Sequence, residues 1–362
     1  MASASQGGAG AAQCGLFIDR HVPKNGGSSM RSMMRRNAAQ GNCAYLGYDV
    51  SRTWSSRVGF NHTSLKGVAR LLGQGAPEAT VAHQHLCIEA HVVRRSFWHD
   101  LATLRAFASE RSCTTLVAVR VREPFSWYSS FYEWAIRARQ EEGDPRWGDN
   151  FTDWLPHNLQ SKMLLWGRDA NENPADDDPG IGIRTHGIGN RYGWLKPRAG
   201  ASVRLAADHR SQLDHLMRHV DIAAPMESFD ETVAIISCTS GFLSSASYER
   251  TSPAPVGGYW TKQRQRPVSK AADLCSGSRE AQCREAVRRA APDDFELYGR
   301  VKASFEKLRR QATNSAAKRR CFERQLAALA ARPPPAPPRH ERTRPNRKPN
   351  RAPQLHHSNL EA

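Results

Sequence analysis

Three short stretches of this chain combine residue types and spacings that suit work on an anion. The first is Pro23-Lys24-Asn25-Gly26-Gly27-Ser28-Ser29, set between an apolar run and a segment with Met30, Met33 and Met34 on one helical stripe. Gly26 and Gly27 allow positive φ and a close approach of backbone to a ligand. The N–H groups that open the helix, with the hydroxyls of Ser28 and Ser29, make an anion cradle, and Lys24 adds a point charge at its lip. The lysine precedes the glycines, whereas in a Walker A loop it follows them. The second stretch is Arg122-Glu123-Pro124, again after an apolar run and ahead of an aromatic-rich segment that carries Ser130. A guanidinium forks onto phosphate oxygens, and a hydroxyl on the following helix completes such a clamp. The third is His83-Gln84-His85, whose imidazoles can take a proton near neutral pH. Each stretch also has a plain structural reading: a glycine-rich turn, a salt bridge at a strand end, and histidines hydrogen-bonded in the core.

The order strand, Pro23-Lys24-Asn25-Gly26-Gly27-Ser28-Ser29, helix resembles the 5′-phosphosulfate loop of the sulfotransferases that use 3′-phosphoadenosine 5′-phosphosulfate (PAPS), especially the Golgi carbohydrate branch. Arg122-Glu123-Pro124, with Ser130 eight residues after the arginine, resembles that family's 3′-phosphate element. Relatives often carry a second arginine between the two, where this chain has Trp127. His83-x-His85 is similar to the H-x-H of heparan-sulfate 2-O-sulfotransferase-like enzymes, which implies a base role for His85 with His83 in reserve; Glu89 and His91 rank behind them. Asn158-Leu159-Gln160 resembles an N-x-Q helix near the acceptor cleft, and Asp293 to Tyr298 a D-x-x-L-Y helix start. Lys262 and Arg264 fall where relatives carry a basic loop that closes over PAPS.

The resemblance implies a P-loop-like sulfotransferase fold and transfer of a sulfuryl group from PAPS to a hydroxyl of a carbohydrate. The step is an in-line displacement with a histidine base. The cofactor-binding set would be Lys24, Asn25, Gly26, Gly27, Ser28, Ser29, Arg122, Ser130, Lys262 and Arg264. It implies no metal and the Golgi lumen and fixes no oligomeric state; the basic body favours an anionic glycan as acceptor, with nucleic acid not expected. Sulfation of a small molecule or of protein tyrosine, and a non-catalytic polyanion binder that kept the fold, are the alternatives.

The elements that must position these residues follow from hydrophobic pattern. Strands are expected over 14–19, 80–85 and 114–121, the last apolar enough to be buried on both faces. Helices are expected over 28–37, 125–139, 158–166, 206–218, 230–239, 293–310 and 317–331. Strands alternating with helices give an α/β fold with a mostly parallel central sheet and helices on both faces, in which ligands sit outside the carboxyl ends of the strands. The expected organisation is a disordered segment over 1–13, the main domain over 14–312, a C-terminal helix over 313–331 and a disordered basic Pro/Arg-rich tail over 332–362.

Lys and Arg outnumber Asp and Glu by 52 to 35, a net charge of +17, of which the tail carries +5 and the folded part +12. A body this basic expects an anionic partner. The eight cysteines include no C-x-x-C pair, which removes the usual zinc signature. Cys275 and Cys283 flank a short polar stretch and are either a small disulfide loop or two thiols. The N-terminal segment has neither the basic nor the apolar region of a signal peptide, and no run reaches membrane-spanning length.

Overall fold

The computed structural model describes residues 14–47, 85–90, 97–132, 151–166, 203–205, 207–245, 275 and 277–331. Five strands, β1 (Cys14–His21), β2 (Ala44–Leu46), β3 (His85–Ala90), β4 (Cys113–Val121) and β5 (Ile222–Pro225), form an all-parallel sheet in the order β2-β3-β1-β4-β5. Side chains alternate across a strand. Leu16 and Ile18 of β1 and Val117 and Val119 of β4 join one core cluster, while Phe17, Leu116 and Ala118 join a second. The two clusters therefore lie on opposite faces, which is why β1 and β4 read as continuous apolar runs.

Helices cover both faces. The first cluster receives Leu101 and Leu104 of α2 (Phe97–Glu110), Trp127 and Phe131 of α3 (Pro124–Phe131) and Trp154 of α4 (Phe151–Trp154). Leu159 of α5 (Leu159–Trp166), Leu216 of α6 (Ala207–Arg218) and Val287 of α8 (Arg279–Ala290) join it. The second takes the methionine stripe of α1 (Gly27–Ala39), Val233 and Ile236 of α7 (Phe229–Ser240) and Phe322 of α10 (Ala316–Ala330). The long helix α9 (Pro292–Ala312) packs on β5 and serves both, with Leu297 and Val301 in the first cluster and Phe305 in the second.

Most element bounds fall within two residues of expectation. The exception is β3. The strand expected over 80–85 ends where β3 begins, and 80–84 lie outside the described residues. So do the tail over 332–362, the segment 1–13, and residues 133–139 of the helix expected over 125–139.

All eight cysteines pair, as Cys14–Cys113, Cys43–Cys87, Cys238–Cys321 and Cys275–Cys283. The last settles the open alternative in favour of a disulfide. The others span 99, 44 and 83 residues and had no local signature. Cys14–Cys113 links β1 to β4 at facing positions of the ladder, and Cys238–Cys321 fastens α10 to α7. Four disulfides place the protein in an oxidising, secreted or luminal environment. No helix among the described residues is long and apolar enough to cross a membrane.

Candidate functional site at the carboxyl ends of β1 and β4

The helix after β1 lies on one face of the sheet and the helix after β4 on the other, as the cluster memberships of Met30 and Trp127 require. Between strands whose connections diverge in this way a crevice opens outside their carboxyl ends. The loop over 24–29 and Arg122 both leave the sheet at that crevice, since His21 and Arg120 are ladder partners.

The loop is pinned from below. Asn25 is fully buried, and its Nδ2 donates to the Arg120 carbonyl at 2.9 Å and to Gln160 Oε1 at 3.0 Å. Arg120 Nε donates to the Asn25 carbonyl at 3.0 Å, and the Trp127 indole donates to the Pro23 carbonyl at 2.9 Å. Lys24, between these two anchored residues, has φ 71°, a left-handed conformation rare for a side chain of this kind. Gly26 has φ 74° and ends the loop; α1 then opens with no side-chain cap on its first N–H groups. The glycines have a packing reason. A Cβ on Gly26 would lie 2.6 Å from the Phe229 ring, and one on Gly27 would lie 2.0 Å from His21 Nε2. Lys24 and Ser29 are half-buried and Ser28 is exposed.

Arg122 is half-buried and its Nε donates to Ser126 Oγ at 2.8 Å. Ser126 and Ser130 are four apart on α3, so Ser130 lies one turn further along the same face. Ser126 escaped the sequence reading, although its position one turn before Ser130 was the signal. Glu123 caps α3 by accepting from Ser126 N at 2.8 Å, ahead of Pro124 at the first helical position. Trp127 does not take the place of a second arginine in contacting phosphate. It is fully buried, stacks on Phe131 at 4.9 Å and braces the loop through Pro23.

One side chain joins the two anion elements. Gln160 Oε1 accepts from Asn25 Nδ2 and from Arg122 N at 2.9 Å, and Gln160 Nε2 donates to the Arg122 carbonyl at 3.1 Å. Gln160 of the N-x-Q motif is thus a strut beneath the loop and Arg122. The motif's Asn158 donates to Asp293 Oδ2 at 2.8 Å, and the next residue, Asp294, accepts from Ser161 N at 2.7 Å and Gln160 N at 3.2 Å. Burial raises the Asp294 pKa to about 6, held back by those hydrogen bonds.

The structure does not bring His85 to this site, which corrects its expected placement at the end of a strand. His85 opens β3 opposite Gly15, six residues before His21 on the neighbouring strand. At about 3.3 Å per residue, roughly 20 Å of strand separates it from the loop. Its ring stacks on Phe242 at 4.4 Å, and burial lowers its pKa. The physical reason is register: β3 starts at His85 instead of ending there. His83, His91, Lys262 and Arg264 lie outside the described residues.

The titratable groups that do stand at the carboxyl ends of β1 and β3 form a buried cluster. Asp19 pairs with Arg120 at 2.7 Å and with His21 Nδ1 at 2.9 Å. Burial would raise the Asp19 pKa, but the charges of Arg120 and His21 hold it below the ordinary carboxylate range. Glu89, the ladder partner of Asp19, accepts from Arg31 through Nη2 at 2.5 Å and through Nε, whose N–H is shared between its two oxygens at 2.8 and 3.0 Å, and from the Tyr45 hydroxyl. Its Oε1 is 3.8 Å from His21 Nε2. Compared with protein-family models, with curated proteins and with solved structures, the chain matches none.

Proposed function

We propose that this chain is a PAPS-dependent sulfotransferase of P-loop-like fold that sulfates a hydroxyl of a carbohydrate. The observation that carries the reading is the pairing of loop 24–29 with Arg122 at adjacent carboxyl ends, tied through Gln160. One nucleotide with phosphates at both ends needs two such anion sites. In this reading the 5′-phosphosulfate rests on Lys24, Asn25, Gly26, Gly27, Ser28 and Ser29, and Arg122 and Ser130 hold the 3′-phosphate. The acceptor oxygen bonds to sulfur as the sulfur–oxygen bond to the nucleotide breaks, and adenosine 3′,5′-bisphosphate leaves. Lys24 meets the charge that grows on the departing oxygen. His21 and Glu89 stand at the same end of the sheet as the loop, but both are buried and held by Asp19 and Arg31, so they position the loop and do not meet the acceptor. Lys262 and Arg264 would cover the nucleotide, and an anionic glycan suits a body of this charge. The Golgi lumen is the oxidising compartment that fits this activity.

A non-catalytic polyanion binder is a second reading, favoured by the exposed Arg310, Lys318, Arg320 and Arg324 on α9 and α10. The deciding experiment has two arms. Adenosine 3′,5′-bisphosphate should raise the melting temperature with the logarithm of its concentration, and adenosine 5′-monophosphate much less. Labelled sulfate should pass from PAPS to desulfated polysaccharide. Equal stabilisation by the two nucleotides refutes the assignment of Arg122 and Ser130; binding without transfer favours the polyanion binder.

A further inference from the structure

We propose that His215 and His219 chelate a divalent transition-metal ion of the borderline class, Cu2+ ahead of Zn2+. His215 is in the last turn of α6 and His219, four residues on, directly follows the helix, which brings the two rings together. Their Nε2 atoms are 3.2 Å apart, while the ring centroids are 4.6 Å apart with planes inclined at 64°. The Nε2 corners of the two rings therefore converge on a common point. Two metal–nitrogen bonds of 2.0–2.1 Å spanning that 3.2 Å enclose an angle of about 100°, between square-planar and tetrahedral values.

The backbone around the pair is fixed. His219 N donates to the Leu216 carbonyl at 2.9 Å, and the His219 carbonyl accepts from Arg105 Nη2 at 2.9 Å. Arg105 and Arg218 are the nearby cations, and Arg105 is paired with Asp221 at 2.5 Å, which offsets its repulsion of an incoming ion. His215 is exposed and His219 half-buried, so solvent reaches the site and water fills the remaining coordination positions. Two protein ligands are fewer than a dedicated zinc site uses. That sets a moderate affinity and an open coordination sphere. The competing explanation is a simple hydrogen bond in which one imidazole N–H donates to the other ring; a metal ion would displace that proton.

The test is calorimetric titration of the full, tag-free chain with CuCl2 and ZnCl2, with MgCl2 as the oxygen-seeking control. One saturable site is expected for copper and zinc and none for magnesium, with copper the tighter. His215→Ala and His219→Ala should each weaken that site at least about tenfold, because the remaining imidazole loses its chelating partner. Circular dichroism establishes that each variant is folded, and His215, being exposed, is the safer of the two. Equal binding by wild type and His215→Ala, or no saturable binding by wild type, would overturn the proposal. Neither outcome bears on the sulfotransferase reading, which uses neither residue.

Discussion

Gln160 is where a single buried substitution tests both the architecture and the chemistry of the site. Gln160→Met keeps the side-chain length but removes the acceptor for Asn25 Nδ2 and Arg122 N and the donor to the Arg122 carbonyl. Asn25 keeps its bond to the Arg120 carbonyl, so the heaviest loss falls on the Arg122 backbone. A buried polar group left unmet costs about 1–3 kcal/mol, so two groups of Arg122 and part of the Asn25 amide come to roughly 3–4 kcal/mol. That is a large share of the ~5–15 kcal/mol that holds a typical domain together. Urea unfolding, followed by tryptophan fluorescence, measures it. The functional consequence is separate. With the strut gone the loop and Arg122 lose their fixed spacing, and affinity for adenosine 3′,5′-bisphosphate should fall at least about tenfold, a loss of about 1.4 kcal/mol. Affinity for adenosine 5′-monophosphate, which uses the loop alone, should change less. Binding is compared at a temperature where both proteins are folded. Destabilisation below about 1 kcal/mol with unchanged nucleotide discrimination would refute the bridging role, since buried hydrogen bonds of this kind cannot vanish without cost.

Two further predictions concern histidine and pH. His85→Ala should keep sulfate transfer within about tenfold of wild type, because its ring stands roughly 20 Å of strand from the loop; a hundredfold loss in a folded variant would return the base role to it. Asp294 binds a proton in the folded protein up to a pKa of about 6, against an ordinary 3.8. Its contribution is therefore fully present below about pH 4 and is lost as pH rises through 6, by up to roughly 3 kcal/mol. Asp294→Asn removes that slope, so the wild type should lose more stability than the variant between pH 4 and 7 in urea; parallel losses would mean that Asp294 titrates normally.

The apolar alternation of Leu16, Phe17 and Ile18, and of Leu116 to Val119, made the parallel sheet legible, because a strand covered on both faces leaves a continuous apolar signature. The loop over 24–29 and Arg122 were legible for a related reason: strand-to-helix turns with Gly, Lys and Arg are local patterns. The register of β3 was not. Val81-Ala82 and Leu86-Cys87-Ile88 are short apolar runs on either side of His83-Gln84-His85, so pattern alone does not mark which of them is the ladder, and a shift of five or six residues moves His85 from one end of the sheet to the other. Gln160 and Ser126 were missed as contacts because their partners, Asn25 and Arg122, are set by tertiary packing. The three long-range disulfides escaped for the same reason.

The buried cluster under the loop bears on where catalytic charge can come from. Arg120 and Arg31 stand against Asp19 and Glu89, two guanidinium groups against two carboxylates, all at or near zero exposure except Arg31. Removing one member of such a set leaves a desolvated charge unmatched, which costs several kcal/mol, so the four are held together as a unit. Arg20, buried beside Asp19, adds a third guanidinium, but its terminal N–H groups are spent on the carbonyls of His21, Met163 and Leu164. In the proposed reading the attraction for an anion comes from groups above this buried set: the opening N–H groups of α1, Lys24 on its left-handed residue, and Arg122 on the neighbouring strand end. This separates two jobs that a sequence pattern merges. Arg120 and Arg31 fix the strand ends, while Lys24 and Arg122, only half-buried, are the cations that the proposed reading assigns to the anion. His21 stands between the two sets, joined to Asp19 through Nδ1 and packed against Gly27 through Nε2. That contact couples the buried ion pairs to the backbone of the anion loop, and it explains why the position after Gly26 has no room for any side chain.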